Sequence, residues 1–153
     1  MEYRVATTDD CQVLTELRMA MRRERDPNFQ EDLLRPATLA FFQETIASGA
    51  HVAFLCQEGD TVIATVGLSP LKMPPTSTLL SGKVGKLSNV YTAPQYRNKG
   101  VARGLLEFVI TYAVQNGYQK LILHSSPMGR SLYEGRGFSR VSDEYELLIG
   151  ENL

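Results

Sequence analysis

The sequence predicts an α/β fold, a sandwich of helices around one mixed sheet. Three observations carry this reading. Strand-like and helix-like segments follow in the order strand, two helices, three strands, helix, strand, helix, strand. The chain has 153 residues, 43% of them hydrophobic and 22% charged, enough to bury a core without disulfide or metal support. No repeat, low-complexity tract or linker interrupts it, so residues 1–153 read as a single domain.

Tyr3-Arg4-Val5-Ala6 reads as the first strand. Thr8 supplies an N-cap, and Asp9 and Asp10 place acid where the helix dipole favours it. Val13, Leu17, Ala20 and Met21 then recur at helical spacing, predicting a helix to about Glu24. Asp26-Pro27-Asn28 breaks it. Pro36 suits the first turn of a second helix, with Leu39, Phe42 and Ile46 on its apolar face and Gly49 as its stop. Residues 51–57 (HVAFLCQ) and 61–68 (TVIATVGL) are β-rich runs joined by the turn Glu58-Gly59-Asp60.

Ser69 to Gly82 holds Pro70, Pro74 and Pro75 and reads as a long loop. A strand from Val84 to Thr92 ends at Ala93-Pro94. From Gly100 to Gln115 the spacing predicts a helix with Val101, Leu105, Phe108, Val109, Tyr112 and Ala113 as its apolar stripe. Residues 118–125 (YQKLILHS) read as a strand, Met128 to Arg136 as a short helix ended by Gly137, and Tyr145 to Ile149 as a closing strand.

Charge and cysteine usage exclude several classes. Lys plus Arg number 16 against 17 Asp plus Glu, a net charge of -1, without the basic excess that neutralises nucleic-acid phosphates. Cys11 and Cys56 lie far apart in no metal-binding pattern and read as free, buried thiols, so no metal site is expected. Met1-Glu2-Tyr3-Arg4 is not followed by the apolar run of a signal peptide, and no stretch is long enough to span a bilayer. The expectation is a cytoplasmic protein with no membrane partner.

The chemistry concentrates in Asn89 to Leu106, NVYTAPQYRNKGVARGLL. A strand ends, a proline turn follows, and a basic glycine-containing loop opens straight into an amphipathic helix. Unpaired N–H groups at the positive end of a helix dipole make an anion site. Arg97, Lys99 and Arg103 add charge, and Gly100 lets a phosphate approach the backbone. Two other phosphate motifs are absent: Gly82-Lys83-Val84-Gly85-Lys86 has the wrong spacing for a nucleoside-triphosphate loop. Gly135-Arg136-Gly137 runs on into Phe138-Ser139-Arg140, which no dinucleotide fingerprint allows. A second informative stretch is Ser126 to Phe138, SPMGRSLYEGRGF, which carries Tyr133.

Arg97, Gly100 and Ala102 match R/Q-x-x-G-x-G/A, and the stretch ending in Gly137-Phe138 is similar to a second signature of the same family. In these two stretches, in their order and in its length, the chain resembles the GNAT superfamily of N-acetyltransferases. That resemblance implies a central sheet with a splayed strand pair, helices on both faces, and acetyl-CoA inserted in the gap. It implies that Val90, Tyr91 and Thr92 run along the pantetheine, with a backbone N–H such as that of Tyr91 stabilising the oxyanion. Asn98, Lys99, Gly100, Val101, Ala102 and Arg103 would hold the diphosphate, beside Arg97. Ser126 stands where many relatives have an Asn on the CoA arm.

Tyr133 matches the family's general acid, and a phenol near pKa ~10 can protonate a thiolate whose conjugate acid lies near ~8.5. Some relatives carry a Glu base on the splayed strand, but Val84 to Tyr96 contains no Asp or Glu. Ser88 or Asn89 could order a water that passes the proton on, or the substrate could bind already neutral. His124, at the end of a strand across the expected gap, is a candidate base, although a structural or exposed residue is the plainer reading, and His51 has less claim. The acceptor amine is expected against the first two helices and the Ser69–Gly82 loop. Glu24, Asp26, Glu31 and Asp32 could attract a cation there, although a solvated acidic turn is the plainer reading. Dimers are common in the superfamily, and a homodimer is compatible with this chain. The rival reading is a non-catalytic acyl-CoA sensor or dimerising scaffold, favoured by the missing acidic base and disfavoured by Tyr133.

Overall fold

The computed structural model describes residues 1–141 and 143–150. Its strands are β1 (Glu2–Val5), β2 (Val52–Glu58), β3 (Thr61–Lys72), β4 (Lys83–Thr92) and β5 (Lys120–Ile122). The helices are α1 (Cys11–Arg25), α2 (Glu31–Ser48), α3 (Val101–Gln115) and α4 (Arg130–Gly135). Strand order follows sequence order, with β1 to β4 antiparallel and β5 parallel to β4, a mixed sheet.

Alternation along β2 sorts the side chains onto the two faces. Ala53 and Leu55 join Ala6, Cys11, Leu14 and Phe42 under α1 and α2. Phe54 and Cys56 join Leu68, Val101, Leu105, Val109 and Tyr133 under α3 and α4. Each large apolar side chain so buried contributes roughly 1.5–3 kcal/mol. Both cysteines are free and buried, and burial pushes both thiols up, which keeps them inert.

Several boundaries differ from the sequence reading. Thr7, not Thr8, forms the cap: it makes a capping box with Asp10, whose carboxylate also pairs with Arg4. A 3-10 turn over Thr8–Asp10 then leads into α1. The second helix starts at Glu31, a turn earlier than Pro36 suggested, and Pro36 lies within it. β3 runs on to Lys72, so the long loop shrinks to residues 73–82. Pro70 is accommodated because β3 beyond Leu68 pairs with β4 alone, the kind of edge that tolerates proline.

Towards the C-terminus the strand read over 118–125 narrows to Lys120–Ile122. The closing strand read over Tyr145–Ile149 does not form; Tyr145 is 93% exposed and Ile149 74%. Apolar composition without a pairing edge does not make a strand.

Helix α3 crosses β1 closely at Gly104, where an added Cβ would lie 1.9 Å from the Tyr3 hydroxyl oxygen. Alanine ordinarily favours a helix interior over glycine by about 1 kcal/mol. Here overpacking, typically about 1–3 kcal/mol, outweighs that gain. Gly104→Ala is therefore expected to lower the thermal midpoint by a few degrees, and a rise would show that Tyr3 swings aside freely.

Candidate active site

The parallel pair β4–β5 is short. Pairing runs from Val84↔Lys120 to Lys86↔Ile122 and stops, while β4 continues to Thr92. The two chains part there, leaving one edge of β4 without a strand. Gly85 helps close the paired end, since a Cβ on it would strike Leu121 at 2.8 Å.

On its other edge β4 carries a bulge. The register with β3 moves from Thr65↔Tyr91 to Gly67↔Ser88, one extra residue on β4. Asn89 takes it up with φ 53, a left-handed conformation that asparagine tolerates better than most residues. The ladder bond from Ala93 N to Ile63 O (2.9 Å) fixes the alternation. Carried back along the strand, that alternation turns the Tyr91 N–H toward β3 and the Thr92 N–H toward the gap.

Beyond β4 the chain turns through residues 93–100 into α3. Asn98 (φ 60) and Gly100 (φ 79) are both left-handed, and Gly100 occupies the N-cap position. The first bond of the helix runs from Gly104 N to Gly100 O (3.0 Å). Upstream of it, the N–H groups of Asn98 through Arg103 find no acceptor among the described residues. Alternating handedness and a helix N-terminus together aim these donors into a concavity suited to an anion. Space beside Gly100 is open, with nothing within 4 Å of an added Cβ.

Arg97 does not extend into that concavity. Its Nε donates to Thr92 O (2.8 Å) and its Nη2 to both oxygens of Glu24 (2.9 and 2.8 Å), while Tyr91 Oη donates to the same carboxylate (3.2 Å). Arg97 thereby braces the turn against β4 and α1. Lys99 stands over the Tyr96 ring at 5.6 Å.

Tyr133 is held by the way α4 ends. Phe138 N donates to Tyr133 O (3.0 Å) and Gly137 N to Glu134 O (3.1 Å), with Gly137 at φ 103. This is a Schellman stop, and its characteristic apolar contact is Phe138 against the Tyr133 ring, edge-on at 5.8 Å. The residue is 7% exposed and sits in the cluster containing Val90, Val101 and Leu123. Its hydroxyl makes no hydrogen bond among the described residues, and burial raises the phenol above its ordinary value, with Arg25 opposing. Ser126 caps the turn leading into α4 by accepting Gly129 N–H (3.3 Å).

A cavity of about 300 Å³ opens on the other face, between α1, α2 and the bulge, with Arg18, Phe41, His51 and Asn89 in its wall. His51 is 3% exposed and shares a hydrogen bond with Ser69 Oγ at 2.9 Å through Nδ1. Its Nε2 is buried without a partner, and burial, aided by Arg18, lowers its pKa to about 4. His124 is instead 66% exposed and pairs with Glu144 at 3.1 Å. Of the two histidines, the one discounted in the sequence is the one built into the fold.

The sequence model described as the acetyltransferase (GNAT) family matches residues 17–138. The chain belongs to the GNAT family. A probable N-acetyltransferase family 8 member 5 of Mus musculus is 34% identical over 104 residues, 65% of this chain and 44% of that protein. N-acetyltransferase 8B of Rattus norvegicus is 28% identical over 99 residues, 63% and 43% of the two. The chain thus spans less than half the length of these curated relatives. Among solved structures, a predicted acetyltransferase with acetyl-CoA from Clostridium acetobutylicum aligns with TM-score 0.86 at 27% identity. That alignment covers 97% of this chain and 96% of the other. A GCN5-related N-acetyltransferase from Ralstonia eutropha follows at TM-score 0.84 and 25% identity, over 97% and 99%.

In this GNAT fold Val90 to Thr92 lie on the unpaired stretch of β4, Asn98 to Arg103 span the turn into α3, and Tyr133 shares a hydrophobic cluster with Val90. Three of the four acidic residues read as a cation lure have partners in the fold. Glu24 holds Arg97, Glu31 pairs with Arg23 and Arg35, and Asp26 accepts Asn28 N–H at 3.0 Å. The cavity of about 300 Å³ is walled by α1, α2, His51 and β4, with no residue of the Ser69–Gly82 segment in its lining. Among the described residues no helix is long and apolar enough to cross a membrane, and no group of three or more His, Cys, Asp or Glu could hold a metal.

Proposed function

We propose that this chain is an acetyl-CoA-dependent N-acetyltransferase that moves the acetyl group onto a primary amine by direct attack in a ternary complex. The observation that supports this best is the row of unengaged N–H groups from Asn98 to Arg103 at the mouth of the β4–β5 gap. Bound there, acetyl-CoA supplies the activated thioester. The N–H groups of Asn98 to Arg103 take the diphosphate, and Arg97 keeps their turn in place through Glu24 and Thr92. Val90 and Thr92 offer N–H groups to the pantetheine and to the thioester oxygen as it gains charge. The amine attacks as its neutral free base and releases its extra proton to water as the C–S bond breaks. Ser126 positions α4, whose Tyr133 hydroxyl protonates the departing sulfur and is reprotonated from solvent. The acceptor amine enters from the face of α1 and α2.

Calorimetric titration with CoA and thiol release from acetyl-CoA over a panel of amines, amino acids and peptides test the reading together. Binding with amine-dependent release supports it. Tight binding with no release by any acceptor would instead favour an acyl-CoA sensor. The turn itself is tested by Gly100→Val, since a β-branched residue at φ 79 is strained and would crowd the anion. CoA affinity, measured well below the unfolding transition, is expected to fall about tenfold or more, and the backbone strain should lower the thermal midpoint by a few degrees. Unchanged affinity would remove the turn from its role.

A further inference from the structure

The arginines of α1 divide into two kinds. Arg23, on the outer side, pairs with Glu31, and Arg35 of α2 pairs with Glu16 and Glu31. Arg18, Arg22 and Arg25 recur at helical spacing on the other side, and none meets a carboxylate among the described residues. Arg18 is half-buried in the wall of the cavity of about 300 Å³ and is the only charged side chain in it. Its one hydrogen bond is a long contact from Nη1 to Asn89 Oδ1, 3.4 Å. Burial and the neighbouring charges of Arg22 and Arg25 make its cation costly there, lowering its pKa. An unneutralised guanidinium held in a largely apolar cavity is a site for an anion.

We infer that the acceptor carries a carboxylate beside its amine and an apolar side chain: an α-amino acid, its carboxylate on Arg18. This rests on the proposed acetyl transfer and names its substrate class. Asn89, which touches Arg18, directly precedes Val90 on β4, so the proposed anion site lies next in the chain to the strand that borders the gap. Leu34, Ala37, Phe41 and Phe42 form the apolar part of the wall, which suits an uncharged side chain, and Thr38, Ser88 and Asn89 add polar groups without charge. His51 lines it as a neutral ring at pH 7 and so does not compete for the anion.

The test uses matched acceptors: L-phenylalanine, its carboxamide and phenethylamine, with kcat and KM from thiol release at saturating acetyl-CoA. L-Phenylalanine should exceed both compounds lacking the carboxylate by about ten- to a hundredfold in kcat/KM, the worth of a charge-assisted bidentate pair. Arg18→Gln should erase that margin by raising KM for the acid alone. Equal use of all three, or an Arg18→Gln effect of the same size on the amine, overturns the inference. Should nothing release thiol, acetyl transfer fails separately. Calorimetry of the same three compounds against the CoA-loaded protein then decides the subsite: tighter binding of the acid upholds it, equal binding sinks it.

Discussion

Tyr133→Phe is expected to lower kcat about 10²–10⁴-fold, the usual worth of a positioned general acid, with CoA affinity and thermal midpoint nearly unchanged. The ring keeps its edge contact with Phe138 and its seat over Gly129, where an added Cβ would touch it at 2.9 Å. Only the hydroxyl is lost, and that hydroxyl supports no other hydrogen bond among the described residues. A structural tyrosine would show the opposite pattern, with stability falling and turnover kept. Because burial moves the phenol up, it stays protonated throughout the neutral range, and wild-type turnover should show no loss from its ionisation below pH 10. Full activity in the variant would take the proton-donor role away from this residue.

The second large effect lies in acid stability and concerns His51. Its ordinary pKa of 6.5 falls to about 4 in the folded chain, first through burial and then through Arg18. Between those values the unfolded chain takes up a proton that the folded one refuses. Stability is therefore whole above about pH 6.5 and declines as the pH drops toward 4. The loss reaches about 3 kcal/mol, since each pKa unit is worth 1.36 kcal/mol. Urea unfolding at several pH values reads this directly. His51→Phe should flatten the slope between pH 6.5 and 4, and an unaltered slope would assign the acid sensitivity to other groups.

The sequence exposed those parts of the site that depend on local chain geometry. Gly100 and the polar turn before an apolar stripe declare a helix mouth, because the residues that make the feature are neighbours in the chain. Gly137-Phe138 after Tyr133 declares a helix stop for the same reason. Features made by distant residues stayed hidden. His51, just before β2, meets Ser69 near the end of β3, and Glu24 meets Arg97 from another element, with no local pattern to announce either contact. Burial of His51 also depends on Phe41 and Phe42 covering it from α2, at ring separations of 5.1 and 5.9 Å.

The misjudged boundaries have the same origin. Pro36 marks a first turn only when nothing else nucleates the helix, and here Glu31 and Asp32 at the dipole's positive end start it earlier. Prolines at 70, 74 and 75 suggested one loop, yet only the pairing partners of a strand decide whether proline is tolerated in it. Tyr145 to Ile149 has strand composition, but no edge of the sheet takes it up among the described residues.

The parting of β4 from β5 also has a thermodynamic consequence. Backbone groups along the far part of β4 lack the cross-links that finish a sheet, so water must satisfy them when nothing else does. A guest lying in that slot supplies those links to the native state and has nothing comparable to offer the denatured chain. The resilience of this protein is thus partly on loan from whatever occupies the slot, and it rises and falls with the guest's concentration.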